Sequence, residues 1–262
     1  MGFFIKFIYW FKNLILKNNF RIVNLLKQKF RMKNLIIVAG HAVYTGYNFS
    51  DIENDKNWYL YPFQKGEPKY YISHIKKGVE LAAEDDESLL IFTGNQSRKE
   101  AGPKSEGTMY WMIADSQNWF GYSGVKDRCI TEDFSRDSFE NLLFPMFRFY
   151  EYCGKYPGKV KLISWKFKEE RFDLHREAIK FPRERFEFIG ECNPDNAALA
   201  LNGEKKTILE YSGDMLGKGK ELQAKRETRN PFKRTAPYKL TNPVMKSYFE
   251  GGEITGKVWD GF

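Results

Sequence analysis

Five short apolar runs, separated by longer segments of helical periodicity, are the feature that most constrains this chain. Each run has four or five residues without apolar/polar alternation, as expected of strands covered on both faces. The predicted strands are Leu35 to Ala39, Leu89 to Thr93, Arg128 to Thr131, Val160 to Ser164 and Phe186 to Ile189.

The segments between these runs predict four helices: Tyr70 to Glu84, Ser105 to Trp119, Asp137 to Tyr152 and Lys168 to Lys180. A β-α-β-α rhythm requires a parallel sheet with right-handed crossovers. We therefore predict a Rossmann-like, doubly wound α/β fold. Its five-stranded, mainly parallel sheet has the order 3-2-1-4-5, with helices on both faces.

The sequence divides into three parts. Residues 1–31 are a basic amphipathic N-terminal extension, residues 32–191 are the Rossmann-like domain, and residues 192–262 are an irregular C-terminal extension packed on or near the site. The last part contains one predicted helix, Gly217 to Thr228. Residues 43–68 form an aromatic insertion after the first strand, and a loop of that length predicts a lid or a binding loop.

The N-terminal extension allows several interpretations. It has no apolar run of the ~20 residues that cross a bilayer. Our first hypothesis is an upstream segment without a catalytic role, which leaves open whether Met1 or Met32 is the start of the protein. A mitochondrial targeting segment and a peripheral membrane anchor are the alternatives, because the segment is basic, acid-free and amphipathic.

Charge and cysteine content exclude some classes of function. The formal net charge is +8, but eight of the 42 Lys and Arg residues precede position 34, and the other 34 balance 34 Asp and Glu. We therefore expect no nucleic-acid partner. Three isolated cysteines without a CxxC pair predict no zinc site and favour a reducing, cytoplasmic compartment. The sequence carries no signal for an oligomeric state.

In an open parallel sheet, ligands bind beyond the carboxyl ends of the strands, near the point where the strand order reverses. That point lies between the first and fourth strands, so His41 should face Lys166. The predicted ligand-binding residues follow strand ends or begin the next helices: Gly40, His41, Thr93, Gly94, Asn95, Ser105, Asn141, Ser164, Lys166 and Arg171.

Two of the residues near the strand ends are candidate acids or bases. The His41 imidazole could exchange a proton near neutral pH or bind an anion, or it could only bond its neighbours. Glu106, in the first turn of a helix, could be a base or a metal ligand, or could only stabilise the helix dipole. Asp137 and Glu140 read as a capping box. Asn141, in an apolar run, needs a hydrogen-bond partner.

A basic cluster lies at and after the fourth strand: Lys166, Lys168, Arg171 and His175. Arg171 and His175 share a helix face because they are four residues apart. The cluster is either an anion pocket or a solvated face diluted by Glu169 and Glu170. The chain lacks the GxGxxG, Walker, GxSxG and HExxH motifs, so no dinucleotide, P-loop, hydrolase-elbow or zincin site is predicted.

Taken in order, the motifs of the chain resemble those of the YdcF/SanA-like family, a domain of unknown function, in its fungal type. They are Gly-His-Ala after the first strand, "TGN" followed by "SEG", "EDFSRDSFENL", and "ISWKFKEERF" ahead of His175. The resemblance covers Leu35 to Ile189 and extends into "GDMLGKGKELQAKRETRNPFKRTAPY".

The resemblance implies a Rossmann-like domain with polar residues at the strand ends. Its bacterial members are associated with S-adenosylmethionine binding or with the cell-envelope barrier, so that cofactor is implied by resemblance only. The matching residues are Gly40, Thr93, Gly94, Ser105, Glu106, Ser138, Asn141, Ser164 and Arg171.

The sequence thus predicts a site for a small anionic molecule, of nucleotide or phosphate type. An enzyme with this site would be a hydrolase or group transferase, with Glu106 or His41 as the acid/base and Lys166 and Arg171 holding negative charge. The alternatives are a non-catalytic module binding a nucleotide or S-adenosylmethionine, and a membrane-surface factor held by the N-terminal helix.

Overall fold

The computed structural model describes residues 31–195 and 197–261. The strands are β1 (Asn34–Ala39), β2 (Val43–Tyr44), β3 (Trp58–Tyr59), β4 (Ser88–Thr93), β5 (Cys129–Glu132), β6 (Lys159–Ser164) and β7 (Phe186–Gly190). The helices are α1 (Pro68–Glu84), α2 (Glu106–Ser116), α3 (Ser138–Cys153), α4 (Glu169–Ala178), α5 (Ala197–Gly213), α6 (Lys220–Thr228), α7 (Tyr238–Thr241) and α8 (Lys246–Phe249).

The sheet has five parallel strands in the order β5-β4-β1-β6-β7. Numbered by their place among the sheet strands, this is the order 3-2-1-4-5, and the predicted α/β fold is confirmed. The short strands β2 and β3 form a separate antiparallel pair within the insertion.

Successive residues of β1 serve two different cores. Leu35 and Ile37 are buried with α3, α4 and the C-terminal extension, whereas Ile36 and Val38 are buried with α1 and α2. Side chains that alternate between two apolar layers leave no polar face on the strand. This explains the uninterrupted apolar runs in the sequence.

Side-chain caps fix where two helices begin. The Ser105 hydroxyl accepts a hydrogen bond from Thr108 N at 3.1 Å at the start of α2, and Asp137 Oδ1 accepts from Glu140 N at 2.8 Å at the start of α3. The reciprocal half of the predicted capping box does not form. Glu140 instead accepts from the backbone and guanidinium of Arg136, which compete for its carboxylate.

The C-terminal extension is more helical than predicted. The prediction of an irregular tail misses α5, a helix of 17 residues whose sequence contains Gly203 and few apolar residues on one stripe. The predicted helix from Gly217 begins instead at Lys220, because Asp214 accepts the backbone N–H groups of Lys218 and Gly219 and holds them in a turn. None of the helices in residues 31–195 and 197–261 is long and apolar enough to cross a membrane.

Candidate functional site

A cavity of about 460 Å³ opens at the carboxyl ends of β1, β4 and β6. The insertion supplies part of its rim through Tyr61 and Phe63. The C-terminal extension supplies another wall through Glu204 of α5 and through Arg229. The cavity therefore lies at the predicted reversal of strand order, and the insertion and the C-terminal extension enclose it.

Gly40 directly follows β1, and its backbone packs closely against the Glu106 side chain. A Cβ atom on Gly40 would lie 2.7 Å from Glu106 Oε2 and from the Thr93 carbonyl oxygen. Gly94 has a φ of +140°, and a Cβ there would lie 2.6 Å from the same carboxylate oxygen. Only glycine fits this close approach at both positions. Gly40 lines the cavity as predicted, whereas Gly94, also predicted to bind the ligand, does not line it because Glu106 covers it.

Glu106 lines the cavity with a buried carboxylate in the first turn of α2. Its Oε1 accepts a hydrogen bond from the Ser97 hydroxyl at 2.6 Å. The carboxylate is thus held between two glycines and one hydroxyl, at the wall where an acid/base would have to lie. Its predicted role in proton transfer stays a prediction.

His41 points its ring into a cluster of cations and aromatic rings. Its Nδ1 lies 3.4 Å from Lys168 Nζ, and its buried Nε2 has no hydrogen-bond partner among the described residues. Burial, followed by the positive charge of Lys168, lowers the pKa of His41 well below its usual value. The imidazole is therefore neutral at pH 7. With Nδ1 accepting from the lysine, Nε2 carries the hydrogen and is free to donate it.

The lysine that faces His41 is Lys168, not Lys166 as predicted from strand order. Residues Lys166–Lys168 form one 3-10 turn after β6, which leaves Lys166 exposed and outside the cavity wall and brings Lys168 to it. Burial and then the charge of Arg171 lower the pKa of Lys168 to about 7. No carboxylate of the described residues lies within ion-pair distance of Lys168.

Arg171 lines the cavity and is tied to the C-terminal extension. Its guanidinium forms a 2.9 Å ion pair with Glu204 of α5, and the two side chains are only 12% and 5% exposed. The solvated basic face that was the alternative interpretation is therefore wrong for Arg171. Its Nε is buried without a partner in the described part of the chain.

Four other predicted ligand residues divide into two groups. Asn95 and Ser164 line the cavity; Asn95 donates to the Arg229 carbonyl at 2.7 Å, and the fully buried Ser164 hydroxyl has no partner among the described residues. Thr93 and Ser105 do not line it. Thr93 is fully buried against Glu132 at 2.7 Å, and Ser105 donates to Asp133 while it caps α2.

Asn141 lines the cavity, and its Oδ1 lies 3.2 Å from the Thr93 hydroxyl, whose shorter hydrogen bond, at 2.7 Å, is donated to Glu132. Thr93 therefore contacts a ligand-facing amide without reaching the cavity itself. Glu132 lies next to Thr93 and is buried. Its carboxylate accepts hydrogen bonds from the Ser135, Thr93 and Tyr238 hydroxyls, yet burial raises its pKa to about 7.

Sequence reasoning missed four cations of the wall: Lys168 as the partner of His41, Arg98, Arg136 and Arg229. Arg98 lies in the polar loop after β4, stacks its guanidinium 4.4 Å from the Tyr61 ring and buries an unpartnered Nε. Arg229 follows α6 and donates to the Arg136 carbonyl at 3.1 Å. The position of Arg98 after a strand was a usable signal, whereas nothing near Arg229 in sequence indicates the site.

Comparison with known proteins adds one relative. The chain is 28% identical over 261 residues to "Uncharacterized protein YOR238W" of Saccharomyces cerevisiae, and the alignment covers 78% of this chain and 86% of the yeast protein. No protein-family model matches the chain. No solved structure matches it.

Proposed function

We propose that the cavity binds a small anionic molecule that carries a phosphate or a similar group. The observation that carries the proposal is a set of three cations on its wall, Arg98, Lys168 and Arg229, with no carboxylate partner within 4 Å among the described residues. Each carboxylate of the wall has its own partner. Glu204 pairs with Arg171, Asp137 with Arg226, Glu106 with Ser97 and Glu67 with Tyr71.

Unpartnered donors support the same ligand class. His41 Nε2, Arg98 Nε, Ser164 Oγ and Arg171 Nε are buried at the cavity wall with no acceptor in the described part of the chain. Leaving a buried donor unsatisfied costs about 1–3 kcal/mol. A tetrahedral anion offers several strong acceptor oxygens in one small volume, which suits this number of donors.

Aromatic side chains at the rim favour a nucleotide over a bare phosphate. Phe63 is 65% exposed and stacks on Tyr61 with ring centroids 5.6 Å apart. An exposed phenyl ring at the mouth of the cavity offers a surface on which a flat base can stack, and such stacking stabilises binding by about 1–3 kcal/mol.

The experiment is a thermal-shift titration of the full chain with sulfate, phosphate, nucleoside monophosphates and S-adenosylmethionine. We expect stabilisation by the oxyanions that rises with concentration as binding linkage requires. Lys168→Gln should reduce it. The matched control is Lys166→Gln, two residues away and outside the cavity. Absence of stabilisation by every anion, or equal losses in the two variants, would contradict the proposal.

The same ligands separate an enzyme from a binding module. If Glu106 or His41 transfers a proton, a bound phosphate ester is consumed and Glu106→Gln abolishes turnover while binding persists. A ligand that stabilises the chain but is recovered intact supports a non-catalytic module, the alternative that the sequence left open. We also propose, from the sequence alone, that the chain is a YdcF/SanA-like protein and that it is cytoplasmic.

A membrane-surface role remains the second candidate, on sequence grounds alone. The amphipathic segment that suggests it, residues 1–31, lies outside the described residues except for Arg31. Deleting those residues and comparing cell fractionation tests it directly. An unchanged distribution between membrane and soluble fractions would end this candidate and leave the cavity proposal untouched.

A further inference from the structure

Ser138 and His175 form a hydrogen-bonded pair at the cavity wall. Ser138 is the first residue of α3 and lines the cavity, and its Oγ lies 2.8 Å from His175 Nε2. His175 itself is fully buried in α4, beneath the serine. A hydroxyl that faces a ligand cavity with an imidazole nitrogen behind it is the arrangement of a nucleophile and its base.

We propose that Ser138 is a nucleophile that accepts a phosphoryl group from the anionic ligand of this cavity, with His175 as its general base. The inference rests on the proposed function, because it requires a phosphate ester to bind there. It goes further by assigning a covalent step, a substrate class and two residues to that site.

Packing holds the imidazole in place. The His175 ring is edge-on to the rings of Phe139, Phe172 and Tyr211, with centroids 5.6, 5.8 and 4.4 Å away. These three aromatic contacts restrict the ring, and Nε2 is directed at Ser138. Nδ1 is buried and has no partner among the described residues. With the hydrogen on Nδ1, Nε2 has a free lone pair that accepts from the serine hydroxyl.

The protein keeps this histidine uncharged. Burial, followed by the charge of Arg171 one turn earlier, lowers its pKa well below the usual value. Arg226 acts in the same direction, and Asp137 opposes it. The ring is thus available as a proton acceptor at neutral pH. No carboxylate contacts Nδ1 in the described part of the chain, so the imidazolium is stabilised only at longer range by Asp137, and a bound phosphate would add negative charge beside it.

The start of α3 suits the group that is transferred. The first N–H groups of a helix have no intrahelical partner, and the helix dipole favours negative charge there. Arg136, two residues before Ser138, also lines the cavity, as does Arg171. Phosphoryl oxygens next to Ser138 would therefore meet backbone donors and guanidinium groups together.

The reaction balances without a further oxidant or reductant. Ser138 Oγ attacks phosphorus, and its proton passes to His175 Nε2. The ester P–O bond breaks on the side of phosphorus opposite Ser138, and the leaving oxygen takes a proton from water in the open cavity, which gives phosphoserine, an alcohol and hydroxide. Hydroxide then attacks the phosphoserine, the P–Oγ bond breaks, Ser138 Oγ takes back the proton held by His175, and inorganic phosphate is released.

The test is covalent labelling of the full chain. The probes are p-nitrophenyl phosphate with acid quench and, independently, a fluorophosphonate, in which P–F breaks as O–P forms. Peptide mass spectrometry should find the label on Ser138. Ser138→Ala should carry none, His175→Gln should lower the labelling rate by roughly 100-fold, and Ser212→Ala, which removes an exposed hydroxyl bonded within α5, should label as the parent does.

Sulfate binding by the same variants separates the two proposals. If sulfate stabilises the chain but neither probe labels Ser138, or if His175→Gln labels at the parent rate, the nucleophile assignment is wrong and the binding site stands. If sulfate does not bind, the proposed function itself fails. Should His175→Gln not fold, His175→Asn serves as the second variant, with thermal unfolding as the check.

Discussion

Lys168 Nζ lies 3.4 Å from His41 Nδ1, so the ammonium group that faces the cavity has a neutral imidazole as its partner. Burial, followed by the charge of the adjacent Arg171, lowers the pKa of that lysine to about 7. In the absence of a ligand, about half of the Lys168 side chains are therefore uncharged near physiological pH. A bound anion favours the charged lysine, and binding is consequently coupled to proton uptake.

We predict that sulfate affinity falls as the pH rises above about 7. Sulfate keeps its charge in this pH range, so any change in affinity reflects the titration of a group on the protein. Below pH 7 Lys168 is already protonated, whereas above it each pH unit weakens binding by up to about tenfold until the pKa of the complex is reached. Isothermal titration at pH 6.5, 7.5 and 8.5 measures this.

Lys168→Arg is the matched variant for that measurement. A guanidinium stays protonated throughout, so the variant should bind sulfate with little dependence on pH. If the parent and Lys168→Arg show the same pH profile, Lys168 is not the group that titrates.

Sequence reasoning reached the sheet and the edge where the cavity lies, because both depend on local patterns. Apolar runs set the strands, and the end of β1 placed Gly40 and His41 correctly at the cavity. The sequence could not predict how the strands and helices are positioned relative to one another. The 3-10 turn that puts Lys168 instead of Lys166 at the wall depends on how β6 joins α4, and no residue pattern marks it.

The partners of the basic cluster show the same limit. Spacing correctly placed Arg171 and His175 on one face of a helix. Their partners, Glu204 and Ser138, lie 33 positions after the first and 37 before the second, on other helices. Such long-range pairs depend on how the helices pack in the fold, so the periodicity of the sequence cannot predict them.

Glu204→Gln should destabilise the chain and strengthen anion binding at the same time. The change leaves the Arg171 guanidinium without its carboxylate in a pair that is almost fully buried, which costs about 3 kcal/mol in free energy of unfolding. It also removes one negative charge from the cavity wall. Urea unfolding and sulfate titration measure the two effects separately.

Glu210→Gln is the control on the same helix, since Glu210 pairs with Lys225, a residue with a half-exposed side chain. An ion pair with an exposed partner contributes roughly 0–1 kcal/mol, so this variant should differ little from the parent. Similar losses of stability in both variants would show that the Arg171–Glu204 pair is not special.

Gly40→Ala should lower the free energy of unfolding by about 2 kcal/mol and weaken sulfate binding. The added methyl group would lie 2.7 Å from both Glu106 and the Thr93 carbonyl, so the backbone or the carboxylate has to move. Gly124→Ala is the control, because nothing lies within 4 Å of its Cβ position and its φ is not positive. A Gly40→Ala protein as stable as Gly124→Ala would contradict the close approach at the end of β1.

The buried histidines should make the fold acid-labile, and His74 offers the clearest test. Burial, followed by the charge of Lys168, lowers the pKa of His74 to about 3, whereas an unfolded histidine has a pKa near 6.5. Between these values the unfolded chain binds the proton and the folded chain does not. Stability is therefore fully present above pH 6.5 and declines as the pH falls, by about 1.4 kcal/mol per unit for this residue.

Comparing the parent with His74→Gln isolates that contribution. Glu132, with its pKa raised to about 7, acts in the opposite direction, because the folded chain holds the extra proton between pH 4.5 and 7. That effect and that of His175 are common to both proteins and cancel in the difference, and His41 keeps burial and Lys168 as the main causes of its lowered pKa in both. From pH 6.5 to pH 5 the parent should lose about 2 kcal/mol more than His74→Gln in urea unfolding. Above pH 7 the free energy of unfolding should change with pH equally in the two proteins. If it also changes equally below pH 7, His74 takes up its proton within the fold and the prediction is wrong.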